Sequence, residues 1–263
     1  MKKQNFLLML MLAITLLIAC NNPNSVSTLK GLSAEQLATS NELVSQQQFQ
    51  SPVSIALAVV NDISGSYRLD PASLDFDVLY KAMPSCQGRV VLGYTHIDED
   101  SYTPIIRYNH IPLLIEAPKN RDKTNAWIQS EETMPDNNVY NHVNTTIDSL
   151  NKTSLAVFSG KVAEKLNRNT ARRSDVVFAL KRSTTFLNEF LGCPRILIVC
   201  SDFKDTYGRS MSLDSITLFI VGSNVLPKDV KAATGIDSGY RLFESYEEAF
   251  NQIAQQYMYN TKK

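Results

Sequence analysis

Residues 53 to 68 read VSIALAVVNDISGSYR. The first nine positions form an apolar run without clean alternation, which predicts a β-strand covered on both faces. The run ends abruptly in Asp62, with Ser64 and Ser66 following at alternate positions. A turn leaving a strand can aim such alternate side chains at one focus. One acid and two hydroxyls at the end of a buried strand therefore mark a candidate site.

Working outward, strand and helix signals alternate. Asp70-Pro71 predicts an N-cap and first turn of a helix running to about Met83, with Leu74, Val78 and Leu79 on one face. RVVLGYTHI (89–97) is a second strand, and residues 105–116 hold one or two further extended segments limited by Pro104 and Pro112. The polar, Asn-rich stretch 117–146, which contains Trp127, predicts a long loop with a helical turn. Leu155, Phe158, Val162 and Leu166 recur at helical spacing, and a further helix spans about 175–191, stopping at Gly192. RILIVCSD (195–202) and SITLFIVGS (215–223) are buried strands, and ESYEEAFNQIAQQY (244–257) is an amphipathic closing helix. This alternation predicts a three-layer α/β/α fold around a doubly wound, mainly parallel sheet. Such sheets bind ligands outside the carboxyl ends of their strands. Asp62 and Asp202 both stand at such ends.

Asp62-Ile63-Ser64-Gly65-Ser66 resembles the DxSxS signature of von Willebrand factor A (vWA) domains, placed after the expected first strand. The resemblance implies a Rossmann-like vWA fold over roughly residues 52–256. It also implies a metal-ion-dependent adhesion site (MIDAS) that adds a threonine from a later loop and an aspartate after a central strand. In Arg173-Ser174-Asp175-Val176-Val177-Phe178-Ala179-Leu180, Ser174 stands where the family has threonine. Asp202 matches the aspartate, with Phe203 where glycine is usual. The implied ligands are Asp62, Ser64, Ser66, Ser174 and Asp202. Oxygen donors without imidazole or thiolate suit a hard cation, Mg²⁺ first, with Mn²⁺ or Ca²⁺ as alternatives. Two acids leave such an ion incompletely neutralised, so a partner's carboxylate can supply its last ligand. Serine for threonine loses a methyl that restrains rotation, and the loss of glycine after Asp202 alters the turn or crowds the site.

The N-terminus carries a different signal. MKKQ is basic, residues 6–19 are apolar, and Cys20 follows directly. The run is shorter than the roughly 20 residues of a spanning helix. Leu17-Ile18-Ala19-Cys20 resembles the lipobox of bacterial lipoproteins, implying cleavage before Cys20 and a lipid anchor on its thiol. The expected organisation is a signal peptide at 1–19, a lipidated tether at 20–50 with a short helix around 33–47, and the folded domain at 51–263. Of the other cysteines, Cys200 reads as a buried small hydrophobe. Cys86 and Cys193 both precede strands and could pair, since an exported compartment permits disulfides.

Twenty-six acidic and 26 basic residues balance to zero formal charge, which argues against a nucleic-acid partner. No GxSxG elbow, P-loop or HExxH is present. Ser64 and Ser66 have no motif-placed histidine to activate them. His96, His110 and His142 lack a zinc spacing, although His96 ends a strand on the edge that carries Asp62. The HIDED run (96–100) reads as a solvated loop, and Asp205 as an outer-shell oxygen or a surface turn residue. Asn144 and Asn151 begin glycosylation sequons, a pattern without meaning in a bacterial lipoprotein. The expectation is a lipid-anchored, non-enzymatic envelope protein that binds an envelope or extracellular protein through a divalent ion. The alternatives are a metal-free scaffold of the same fold, or a metal-dependent hydrolase built on Asp62 and Asp202.

Overall fold

The structure, a computed structural model, describes residues 32–63, 74–99, 103–114, 137–166, 172–222 and 225–259. It divides into two compact units, one of Gln46–Leu113 with Ile147–Lys263 and one of Met1–Ser45 with Leu114–Thr146.

The helices are α1 (Ala34–Phe49), α2 (Asp77–Ala82), α3 (Asn137–Leu166), α4 (Val176–Leu187), α5 (Pro227–Thr234) and α6 (Tyr246–Ile253). The strands are β1 (Val53–Asp62), β2 (Arg89–Ile97), β3 (Ile106–His110), β4 (Arg195–Cys200), β5 (Thr217–Val221) and β6 (Arg241–Phe243). They form one sheet in the order β3-β2-β1-β4-β5-β6. All pairings are parallel except that of β3 with β2. The predicted doubly wound α/β fold is therefore observed, and the order reverses between β1 and β4, which is where such sheets place ligands.

β1 is central, and every residue from Ile55 to Asp62 is buried. Its alternate side chains feed two cores. Ile55, Leu57 and Val59 join Leu92, Tyr94, Ile198, Phe158 and Phe250 on one face. Ala56, Ala58 and Val60 join Leu180, Phe186, Leu197 and Val199 on the other. Two-sided cover explains why the strand lacks alternation. Gly93 of β2 answers to the same packing, because a Cβ there would lie 2.7 Å from the Phe186 ring.

Several boundaries differ from expectation. Asp70-Pro71 falls outside the described residues, and residues 74–76 are not helical. Asp75 Oδ1 accepts the Asp77 N–H at 2.9 Å, a local turn that holds the chain out of helix until Asp77. α4 ends at Leu187 rather than near Gly192. Part of the stretch expected as a polar loop is helical, since α3 begins at Asn137. Val139, Val143 and Ile147 recur every four residues and are buried, a stripe hidden by the asparagines around it. α5 and β6 were not expected, although Pro227 at the helix start and Gly235 at its left-handed end (φ 72°) mark α5 in the sequence. The predicted helix near residue 33 is present as α1, opened by a reciprocal Ser33–Gln36 capping box.

Both sequon asparagines bond backbone. In the sheet unit, Asn151 accepts the Ile111 N–H and donates to the Ile111 carbonyl, both at 2.9 Å. In the other unit, Asn144 accepts the Leu114 N–H at 2.8 Å. The Cys86–Cys193 pairing is not formed: none of the three described cysteines is in a disulfide. Cys86 lies in the core on one face of the sheet, while Cys193 packs against the core on the other. Cys200 is fully buried, as expected. Among the described residues no helix is long and apolar enough to cross a membrane.

His110, at the end of β3, is buried and shares its Nδ1 with the Tyr108 hydroxyl at 3.2 Å. Its Nε2 has no partner among the described residues. Burial pushes its pKa down from 6.5 to about 4, against an opposing pull from Asp148. The unfolded chain therefore binds the proton first. Stability supplied by the neutral imidazole is complete above about pH 6.5 and is lost as pH falls through 4. The expected loss is about 3 kcal/mol across that window. Denaturant titrations at several pH values check this, and His110→Leu should flatten that limb of the profile.

Candidate functional site at the sheet switch point

The site follows from register. Asn61 pairs with Cys200 across β1 and β4, so the next residues, Asp62 and Ser201, leave the two strands side by side. By alternation Asp62 lies on the face of Ala58 and Val60, the face covered by α4. Ser201 Oγ donates to Asp62 Oδ2 at 2.7 Å and accepts the Phe203 N–H at 3.0 Å. Ser201 is fully buried, and sequence reasoning missed it. The signal was available, since Ser201 precedes Asp202 directly at a strand end.

α4 runs against the strands, which brings its N-terminus to the same edge. Asp175 caps it, accepting the Phe178 N–H at 3.1 Å. Ser174, just before the cap, is held on both sides of its peptide frame. Its N–H donates to Thr206 Oγ1 at 2.9 Å, and its carbonyl accepts the Thr206 N–H at 2.9 Å. Its hydroxyl takes no partner among the described residues. Thr206 lies in the loop after β4 that also carries Asp202. The structure thus brings Asp62, Ser174 and Asp202 to one edge, at 4%, 3% and 5% exposure. Ser64 and Ser66 lie outside the described residues.

Asp205 organises this loop. Its Oδ1 accepts the Val177 N–H at 3.3 Å, and its Oδ2 accepts the Tyr207 and Arg209 N–H groups at 3.1 and 3.0 Å. It is a half-buried turn residue whose side chain, 4% exposed, ties the loop to α4. Arg209 bonds Asp175 and lies 3.8 Å from Asp205. Its guanidinium also stacks 4.6 Å from the Tyr207 ring centroid. Burial pushes the Asp175 carboxyl above its usual range, while the Phe178 N–H and the Arg209 cation pull it back.

Other edge residues point elsewhere. His96 pairs in register with Asn61, on the face opposite Asp62, and its Nε2 lies 2.8 Å from Asp98 Oδ2. Asn61 accepts the Tyr246 hydroxyl at 2.7 Å. In the HIDED run, Glu99 is not merely solvated: its carbonyl accepts the Tyr207 hydroxyl and its carboxylate the Arg172 N–H.

Phe203 stands where the vWA pattern has glycine, and its φ is +61°. That conformation favours glycine because Cβ crowds the backbone, at about 1–2 kcal/mol. The Phe203 side chain compensates, buried at 2% exposure in the core beneath α4. The ring therefore packs into the core on the face covered by α4.

The donor set tests whether a metal fits. Asp62, Asp202 and Ser174 offer carboxylate and hydroxyl oxygens, the preference of hard cations. Among the described residues no group of three His, Cys, Asp or Glu side chains could hold a metal. The implied ligands include two carboxylates, so any ion there would also need hydroxyl ligands. The donor chemistry fits a hard cation.

No protein-family model matches the sequence, and no curated protein matches it. Solved structures with some likeness include proximal thread matrix protein 1 of the mussel byssus, 12% identical, TM-score 0.37, covering 79% of this chain and 48% of that one. That protein is also known with a zinc-occupied MIDAS motif. A second is the pilus adhesin SpaC of Lactobacillus rhamnosus GG, 9% identical, TM-score 0.42, covering 78% of this chain and 30% of that one. A third is the manganese-loaded Plasmodium vivax TRAP protein, 11% identical, TM-score 0.34, covering 76% and 72%. The chain spans about half the length of the mussel protein. At these scores the fold assignment rests on the strand order and packing above.

The left-handed turn yields a paired prediction. Phe203→Ala should cost about 3–5 kcal/mol through lost core contacts. Phe203→Gly loses the same ring but relieves the strained backbone, so it should be no worse than alanine, against the usual penalty for glycine of about 0.5–1 kcal/mol. Chemical denaturation of the two variants decides the order.

Proposed function

We propose that the chain is a lipid-anchored envelope protein whose vWA-like domain binds a protein partner through a divalent cation at the switch point. The observation that carries this is the burial of two carboxylates, Asp62 and Asp202, at adjacent strand ends, on the edge where Thr206 holds the backbone of the buried Ser174. Burying carboxylates is costly unless charge compensates them, and adhesion chemistry uses that compensation. Asp62, Ser174 and Asp202, together with Ser64 and Ser66, would hold Mg²⁺, or Mn²⁺ or Ca²⁺ in its place. When bound, the ion would supply an incompletely neutralised centre able to accept a partner's carboxylate. The chain's own residues orient the donors: Ser201 fixes the Asp62 carboxylate, and Asp205 and Thr206 fix the loop against α4. The DxSxS signature supports the family assignment, and no sequence motif supplies an activating base to Ser64 or Ser66. Residues 1–19 are read as a lipoprotein signal peptide, Cys20 as the lipidated residue, 20–50 as a tether and 51–263 as the vWA-like domain, with no nucleic-acid partner.

One observation favours a second reading, a metal-free scaffold of the same fold that binds through its loops. Asp62 accepts the Ser201 hydroxyl, and Asp202 accepts an N–H of its own turn, so protein groups already serve both acids.

Calorimetric titration of Mg²⁺ and Mn²⁺ into the chelator-treated chain separates the two. The cation reading predicts saturable binding, with about 2.7 kcal/mol of added stability at a hundredfold excess over Kd, both abolished by Asp62→Ala. The scaffold reading predicts no heat in either protein and partner binding indifferent to chelator.

A further inference from the structure

Two cations serve the acids of this edge, and they are held differently. Arg209 is fixed by Asp175, Asp205 and the Tyr207 ring together. Lys204 has one ionic contact. Its Nζ lies 3.2 Å from Asp202 Oδ2, its side chain is 63% exposed, and that of Asp202 is 6% exposed. The Asp202 carboxylate has a second, independent hold, because its Oδ1 accepts the Lys204 backbone N–H at 3.1 Å. If the ammonium leaves, the carboxylate keeps its place.

We propose that Lys204 is a resident counter-cation of Asp202, which a hard divalent ion displaces when it binds. The proposal rests on the cation reading above. A buried carboxylate needs a compensating charge, and a lysine on a flexible four-carbon stem supplies one that can swing into water. The same Asp202 oxygen cannot serve an ammonium and a divalent ion at full strength. The lysine thus keeps the loop after β4 compensated while the ion is absent, and it competes for the position once the ion arrives. Its cost to ion affinity is that of an exposed ion pair, at most about fivefold.

The test is Mn²⁺ titration of the full-length chain, wild type against Lys204→Gln, with Arg172→Gln as a control. Arg172 is exposed near the same edge and has no contact with Asp202, so the control reports the effect of general charge. The expected result is about two- to fivefold tighter Mn²⁺ binding in Lys204→Gln and less than a twofold change in Arg172→Gln. In chelator, Lys204→Gln should melt below wild type, with the gap closing at saturating Mn²⁺. Wild-type binding that Asp62→Ala abolishes but Lys204→Gln leaves unchanged or weakens would overturn the displacement and leave the metal site standing. An equal gain in both charge variants would also overturn it. No binding in any of the chains would overturn the site and the proposal together, and binding by Lys204→Gln alone would uphold both.

Discussion

The register of β1 against β4 decides where each polar group at the carboxyl edge stands. Ala56 beside Arg195 runs through to Asn61 beside Cys200. From that fixed end Asp62 and Ser201 emerge as neighbours, with Asp202 one residue beyond. A slip of one residue would turn the apolar set of β1 over and send Asp62 to the face of Asn61 and Tyr246. Such a slip is disfavoured because β1 is packed on both faces. The central core and the geometry of the edge are therefore one constraint.

The rest of the edge is tied to this frame by hydrogen bonds from one loop. Residues 203–209 leave β4 through a left-handed Phe203, whose ring anchors the turn in the core. They then reach across to α4 through Asp205, Thr206 and Arg209. Ser174 owes its position to that reach rather than to its own side chain, so its hydroxyl stays available. A movement of the loop after β4 would shift Asp202 and Ser174 together.

The strands were legible because two-sided burial writes long apolar runs, and the order of motifs placed Asp62 and Asp202 at strand ends. Helix limits were less legible where short polar side chains intervene. Asp75 delays α2 with a local turn, and the asparagines of α3 disguise the Val139, Val143 and Ile147 stripe. Two of those asparagines, Asn144 and Asn151, serve backbone in a way no sequence pattern announces. At the site, Ser174 and Asp202 could be read from motif order. The Ser201 bond, the three N–H groups on Asp205 and the Lys204 contact depend on loop geometry, which periodicity does not encode.

The most direct measurement of the central claim is anomalous X-ray scattering at the manganese edge, from crystals of the chain grown with Mn²⁺. A single strong peak is expected, ligated by oxygens of Asp62, Ser174 or Asp202 at roughly the 2.0–2.6 Å spanned by Mg²⁺ and Ca²⁺, with the Lys204 ammonium withdrawn from Asp202. An edge without a peak, in crystals where the Ser201–Asp62 and Lys204–Asp202 contacts persist, would contradict it and leave a fold that uses this edge without metal.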